Sequence, residues 1–323
     1  DYALFATAGA WYDSSMTDPT SHLILDSMRP GWALLGWGGS EKQTVTAAST
    51  RAGWVNAADW ARNLAPMAGF RAAEPMKQPN ALPPPLPPVP ERKHTLAFLM
   101  TDGDNLQWLL NNFATGPAWW ASPQRGTVPM GWTLSAALPQ VAAPVATMLY
   151  GQATVRSGPR SACDVFVAGP SGAGYAYPDL MSDEALATFA AASRSAARAA
   201  GLGVVNVLGS KFSASAADAM AEGMDGVLWY EFDPYDGLHG SISFSSHGVP
   251  VIGARFMLWQ GYDTPESIAA KVEALSTDPT SPDAWSSNVT QAAQTAKLLE
   301  ARNVNVVCPD ELVSRVRAFV QPE

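Results

Sequence analysis

The chain has little of what metal, thiol or nucleic-acid chemistry requires. Of its 323 residues only 4 are histidine and 2 are cysteine. Cys163 and Cys308 define neither a disulfide framework nor a metal spacing, and neither stands beside a histidine that could activate a thiol. Each borders an expected strand, so both read as small buried apolar residues, with a mutual disulfide as the alternative. Cations are also few: 20 Lys and Arg against 29 Asp and Glu leave a net charge of −9. That excludes a nucleic-acid partner, whose phosphates need a basic face, and an anionic membrane surface.

Long apolar runs are missing too. The most apolar window, Trp132 to Tyr150, is interrupted by Pro139, Gln140 and Pro144, so no membrane insertion is expected. No repeat, heptad or phosphate-binding loop occurs. Gly201-Leu202-Gly203 precedes a strand rather than following one, and Gly169-Pro170-Ser171-Gly172 lacks the spacing of a nucleophile elbow. No cofactor is expected. The start, Asp1-Tyr2-Ala3-Leu4-Phe5, lacks the basic region of a signal peptide. The expectation is a secreted or periplasmic bacterial protein whose signal and upstream segment are not in this chain.

Apolar runs followed by helices or long loops, without hairpin signals, are what the chain does contain. Strands are expected at 3–8, 32–37, 95–100, 131–136, 164–168, 203–208, 227–230, 249–257 and 304–307, and residues 53–60 read as a short strand followed by a helix start. A helix should start at the cap Ser182 and stop at Gly201, with others over 265–275 and 289–301 and a last one from Asp310. Parallel α/β architecture follows: a (β/α)-barrel-like fold, irregular or incomplete. The whole of 1–323 reads as one such domain, with the proline cluster at 79–90 as a stiff surface connector.

In such a fold, residues just past each strand share one face. That rule gathers Asp13, Glu41, Asp102, Asp104, Asn105, Tyr175, Tyr177, Glu231, Tyr235 and Arg255, with Asp233 and Asp236 beside them. Carboxylates dominate, which suits glycosidic cleavage: one carboxylic acid protonates the leaving oxygen while a second carboxylate acts as nucleophile or base. Asp104 and Glu231 are the expected pair, with Asp102 tuning them. Tyr175, Tyr177, Trp11 and Trp37 would hold sugar rings, whose apolar faces suit flat aromatics, and Glu41, Asp13, Asn105, Tyr235 and Arg255 would line the rest of the substrate site. The bland alternatives stand beside these roles. Asp102-Gly103-Asp104-Asn105 could be a self-capped turn, and the Tyr175 and Tyr177 phenols could cap nearby backbone.

The run Gly172-Ala173-Gly174-Tyr175-Ala176-Tyr177-Pro178 carries a resemblance that extends along the chain. Together with Met100-Thr101-Asp102-Gly103-Asp104-Asn105, Trp119-Trp120, Gly36-Trp37 with Glu41, Ala58-Asp59-Trp60, Gly226 to Tyr235 and Pro250 to Gly261, it resembles the GxGYxYP family of glycoside hydrolases. The resemblance implies a secreted, barrel-like, carbohydrate-active enzyme with a polysaccharide substrate. The segment near Ser281-Pro282-Asp283-Ala284-Trp285 is shorter than that pattern. Two other readings remain: a metal-dependent polysaccharide deacetylase or esterase using Asp102 or Asp104 with His239 or His247, and a non-catalytic carbohydrate-binding barrel. One expectation is sharp. The tyrosine loop should face Asp102, Asp104 and Glu231, and buried phenols would count against a sugar-binding role.

Overall fold

A computed structural model of the protein describes residues 9, 16–36, 38–72, 76–80, 94–103, 105–232, 240–259, 261–275, 284–286, 288–302 and 304–320. Its strands are β1 (Trp32–Leu35), β2 (Gly53–Asn56), β3 (His94–Met100), β4 (Met130–Leu134), β5 (Asp164–Ala168) and β6 (Val204–Gly209), followed by β7 (Gly226–Glu231), β8 (Ile242–Phe244), β9 (Pro250–Gly253), β10 (Phe256–Leu258), β11 (Ala284–Ser286) and β12 (Val304–Val307). β1 and β2 form a small parallel sheet of their own. The other ten join in the order β10-β11-β3-β4-β5-β6-β7-β9-β8, with β12 also on β3. All these pairings are parallel except β8 with β9.

The two ends of this order belong to one stretch of chain, because β8 at one end leads through β9, which stops at Gly253, into β10 at the other, which begins at Phe256. A sheet whose far ends are that close in sequence must curl, and the result is an incomplete barrel. The single strand expected over 249–257 is therefore two strands, broken at Ala254 and Arg255. The short segment near 284 does form a strand, and it bridges β10 to β3.

Side-chain alternation divides the core. Leu96, Phe98 and Met100 of β3, Trp132 of β4, Phe166 of β5 and Trp229 of β7 point outward, into one buried cluster with Leu186 and Phe189 of the helix Asp183–Ala200. That helix starts and stops where its sequence dictates. Ser182 Oγ accepts from the Ala185 N–H, and Gly201 ends it at φ 71. The inward set, Ala97, Leu99, Val167, Leu228 and Ile252, meets Leu312, Val313 and Val316 of the last helix, Pro309–Val320. In a closed barrel strand side chains alone fill the interior. Here a helix enters the concave face, and Gly226 faces Val313 where a Cβ would collide.

Cys163 and Cys308 are bonded to each other, correcting their reading as independent apolar residues. They join the start of β5 to the end of β12. Beside them Arg156 pairs with Asp310 at 2.5 Å and Arg315 with Glu311 at 2.8 Å, both pairs largely withdrawn from water. Burial raises the Asp310 carboxyl even though Arg156 opposes the shift.

The start of the proline-rich connector is tied down rather than lying free. Asn80 is buried and donates to the Thr154 and Asp164 carbonyls at 3.0 and 2.7 Å. Gln78 accepts from the Phe166 N–H at 2.9 Å and donates to its carbonyl at 3.1 Å, imitating a strand along β5. Residues 81–90 of that connector, like the strand expected at 3–8, lie outside the described residues.

Candidate active site

The carboxyl ends of β3, β5, β6 and β7 converge on one face of the sheet. On β3 the approach is fixed by Gly103. Its N–H donates to Thr133 Oγ1 at 2.8 Å, its carbonyl accepts from the Ser135 N–H at 2.8 Å, and Thr133 Oγ1 donates to the Met100 carbonyl at 3.0 Å. A Cβ on Gly103 would be driven into the Thr133 carbonyl. With the loop drawn so tightly against β4, Asp102 is left at φ 69, in the left-handed region that costs most side chains energy but that Asp tolerates.

Asp102 is exposed by surface area, yet protein atoms crowd around its carboxyl. Loss of bulk water first, and the charge of Glu41 second, push its carboxyl from 3.8 up to about 6. Glu41 comes from a different part of the chain. It opens the helix Glu41–Ser49, which Ser40 caps by accepting from the Gln43 N–H at 3.2 Å, and an acid in that first turn suits the helix dipole.

The tyrosine loop after β5 is what holds that helix over the sheet. Tyr175 and Val55 of β2 exchange backbone hydrogen bonds of 2.7 and 2.9 Å, and Gly174 has no room for a side chain against Trp54. The Tyr177 N–H donates to Ser49 Oγ at 2.9 Å. Tyr175 Oη donates to Glu41 Oε1 at 2.7 Å and lies 3.4 Å from Tyr177 Oη. Burial, then Tyr177 and Glu41, raise the Tyr175 phenol well above its ordinary range, so it stays a proton donor. Lys42, next to Glu41, sets its ammonium 5.1 Å from the centre of the Phe232 ring at the end of β7.

These contacts correct the expectation for the phenols. Tyr175 and Tyr177 are 3% and 0% exposed, in a cluster with Val45, Val55, Leu208, Tyr230 and Met257. Their rings have no open face for a sugar. Tyr175 instead orients Glu41, which in the sequence was only one of several substrate-lining residues.

Glu231 ends β7 on the side of Val227 and Trp229, facing the helices, and its Oε1 accepts from the Phe212 N–H at 2.9 Å. It is 7% exposed, and its position is that of an anchor for the 210–213 loop. The Asn105 carboxamide accepts from the Trp108 N–H at 3.1 Å, so it caps a short helix. Arg255 sits at the break between β9 and β10, where Nη2 donates to the Gly240 carbonyl at 3.5 Å. Trp11, Asp13, Trp37, Asp104, Asp233, Tyr235, Asp236 and His239 lie outside the described residues.

His247 does not join the acids. It occupies the β8–β9 turn, at the amino end of β9 and hence the opposite end of the sheet, which removes it from the metal-site reading. That turn is also a hairpin which the glycine- and serine-rich sequence did not announce. Among the described residues no group of three or more His, Cys, Asp or Glu could hold a metal ion.

A family model described as GxGYxYP putative glycoside hydrolase C-terminal domain matches residues 92–317. A second, described as GxGYxYP third domain, matches residues 1–69. The fold is similar to the crystal structure of a putative hydrolase from Bacteroides thetaiotaomicron VPI-5482, with a TM-score of 0.85 and 25% sequence identity. The match covers 100% of this chain and 64% of that one, so the chain spans less than two thirds of that protein's length. No curated protein matches.

Proposed function

Since the chain belongs to the GxGYxYP family, we propose that it is a glycoside hydrolase cleaving a polysaccharide through two carboxylates, Asp102 as proton donor and Glu41 as its partner. One observation carries this reading. Asp102 stands at the carboxyl end of β3 with its pKa raised to about 6, in part by Glu41, and Glu41 is itself held by Tyr175. A carboxyl at about 6 stays partly protonated near neutral pH, as a general acid must.

In this reading the Asp102 carboxyl gives its proton to the glycosidic oxygen as the bond to the anomeric carbon breaks. Glu41, oriented by the Tyr175 hydroxyl, either attacks that carbon or takes a proton from the attacking water. Carboxyl groups about 5–5.5 Å apart give retention, and about 6.5–9.5 Å give inversion. Asp104 and Glu231, the pair favoured by sequence position, belong in the same mutant series. The Cys163–Cys308 disulfide supports an oxidising, extracytoplasmic location. Among the described residues no helix is long and apolar enough to cross a membrane.

Incubation with a panel of polysaccharides, followed by detection of released oligosaccharides, tests the reading. Asp102→Asn and Glu41→Gln should each reduce turnover by roughly 100-fold or more on any cleaved polymer. Full activity in both variants would end the assignment.

A further inference from the structure

The loop that follows β2 joins the two acids from a third part of the chain. It runs from Ala57 to Trp60 and is tied to the short helix Leu106–Leu109, which begins just after Asp102. The Gln107 N–H donates to the Ala57 carbonyl at 3.1 Å, and the buried Gln107 side chain accepts from the Trp60 N–H at 3.2 Å. Asn111 Nδ2 donates to the Trp60 carbonyl, also at 3.2 Å. On its other side the loop meets the end of β1. Gly36 stands at φ 113 with no room for a Cβ against the Asp59 carboxylate, and its N–H donates to the Asn56 carbonyl at 2.9 Å. From Gly36 the chain leads to Glu41, whose charge reaches Asp102. Asp59 and Trp60 are therefore tied both to the loop that carries Asp102 and to the loop that leads to Glu41.

We propose that Trp60 is a sugar-binding platform at the edge of this site, its indole stacking on the apolar face of one pyranose ring of the substrate. Its role as a substrate subsite rests on the glycoside hydrolase reading above; its capacity to hold a sugar does not. Trp60 is 57% exposed, and among the described side chains it is the one exposed tryptophan of a chain that has 12. The indole belongs to none of the buried clusters. A single exposed apolar residue is ordinary on a protein surface. Trp60 differs in its mounting. Both of its backbone polar groups are bound, and the side chains that bind them, Gln107 and Asn111, belong to the chain that leaves Asp102.

An aromatic face is what the tyrosine loop cannot offer. Tyr175 and Tyr177 are spent on Glu41 and on the packing beneath it, with their rings buried. Trp60 keeps its ring in water instead, and so forgoes the stability that burial of an indole brings. A flat, fixed aromatic surface suits the C–H face of a pyranose, and a platform already held in place loses little freedom when the sugar arrives. A polymer lies across a site as consecutive rings. A platform tied to the acid loops, but not to the reacting carbon, would hold a ring beside the cleaved bond. Such contact is the same before and during cleavage, so it lowers KM more than it raises kcat.

Affinity electrophoresis of the whole chain tests it, in gels that contain mixed-linkage β-glucan, xylan, galactomannan or starch. Asp102→Asn serves as the parent, so that no polymer is consumed. At least one of the four polymers should retard this parent. Adding Trp60→Ala should weaken that affinity by about tenfold, whereas Trp60→Phe, which keeps a flat ring, should retain most of it. Where wild type cleaves a polymer, Trp60→Ala alone should raise KM by a similar factor, with a smaller effect on kcat. Retardation that depends on Trp60, without any oligosaccharide released by wild type, would leave Trp60 a sugar site and sink the hydrolase reading. Cleavage whose KM ignores Trp60→Ala would do the reverse. The melting temperature of Trp60→Ala should match that of wild type, because an exposed indole supports no core; a clear fall would make Trp60 a packing residue and end its role as a platform. Absence of retardation by all four polymers, or equal retardation of Trp60→Ala and its parent, would overturn the proposal.

Discussion

The Tyr175 hydroxyl donates to Glu41 Oε1 at 2.7 Å, and through that bond a loop of the large sheet fixes an acid carried by the amino-terminal segment. The two partners are 134 residues apart in sequence. The bond is also the point where the motif that names the family meets the proposed acid pair. Its glycines matter because they let the loop backbone reach β2, and its first tyrosine matters because its oxygen reaches Glu41.

Tyr175→Phe isolates that role. The ring stays in its buried cluster while the hydroxyl is lost, so stability should fall by only about 1 kcal/mol. Turnover should fall by roughly 10- to 100-fold, with little change in KM, since only the orientation of Glu41 is disturbed. A thermal melt paired with steady-state kinetics reads both. Unchanged kcat would mean that Glu41 needs no such support.

Asp102 gives a pH prediction with a definite sign. Its carboxyl rises from 3.8 to about 6 in the folded protein, so between those values the native state holds more of the proton than the unfolded chain. Stability from this group is complete below about pH 4 and is lost as pH rises through 6. Asp102→Asn carries no charge to desolvate, and it should therefore raise the melting temperature at pH 7 relative to wild type and change it little at pH 3.5. Glu41→Gln removes the neighbouring charge, and it should move the Asp102 titration to lower pH, read from the carboxyl carbon resonance. A titration that does not move would separate the two acids.

Much of this fold is legible in the sequence because its strands are bounded by punctuation. Asp164–Ala168 lies between a turn and Gly169, and Ser182 and Gly201 mark the ends of one helix. Asp102 is legible for the same reason, as a carboxylate immediately past an apolar strand. The tyrosines mislead because alternation in a loop does not say which side is solvent; that is decided by β2, far away in sequence. Glu231 misleads because strand order places it on the right face, whereas its parity with Val227 and Trp229 turns it toward the helices. The disulfide stays the lesser of two readings for want of spacing: 145 residues separate its ends.

Gly103→Ala tests how the sheet sets Asp102. The added methyl must enter the space of the Thr133 carbonyl, which is held by β4 and cannot swing aside as a flexible side chain would. Relief requires the loop to lift, breaking the bonds from Gly103 N–H to Thr133 Oγ1 and from Ser135 N–H to the Gly103 carbonyl. A loss of about 2–4 kcal/mol is expected, with Asp102 displaced and turnover lost in the molecules that remain folded. Denaturant unfolding together with activity per folded molecule checks it. A variant of native stability would show that the loop has slack.

The Cys163–Cys308 bond should stabilise the fold without touching the chemistry. It closes a segment of 145 residues at the edge of β5 and β12, away from the carboxyl ends of the strands where Asp102 lies. Constraining so long a loop narrows the unfolded ensemble, and losing such a bond typically costs about 2–5 kcal/mol. For a chain of this size that corresponds to a fall of roughly 4–10 °C in melting temperature. Reduction with dithiothreitol should produce that fall in wild type. The double variant Cys163→Ala, Cys308→Ala should start at the lower temperature and ignore the reductant. At 20 °C, far below either transition, all three samples should turn over substrate equally, since the bond only holds the lower rim of the sheet. If reduction changed the rate at that temperature while the fold persisted, β5 would have to transmit the break from its first residue to the tyrosine loop at its end.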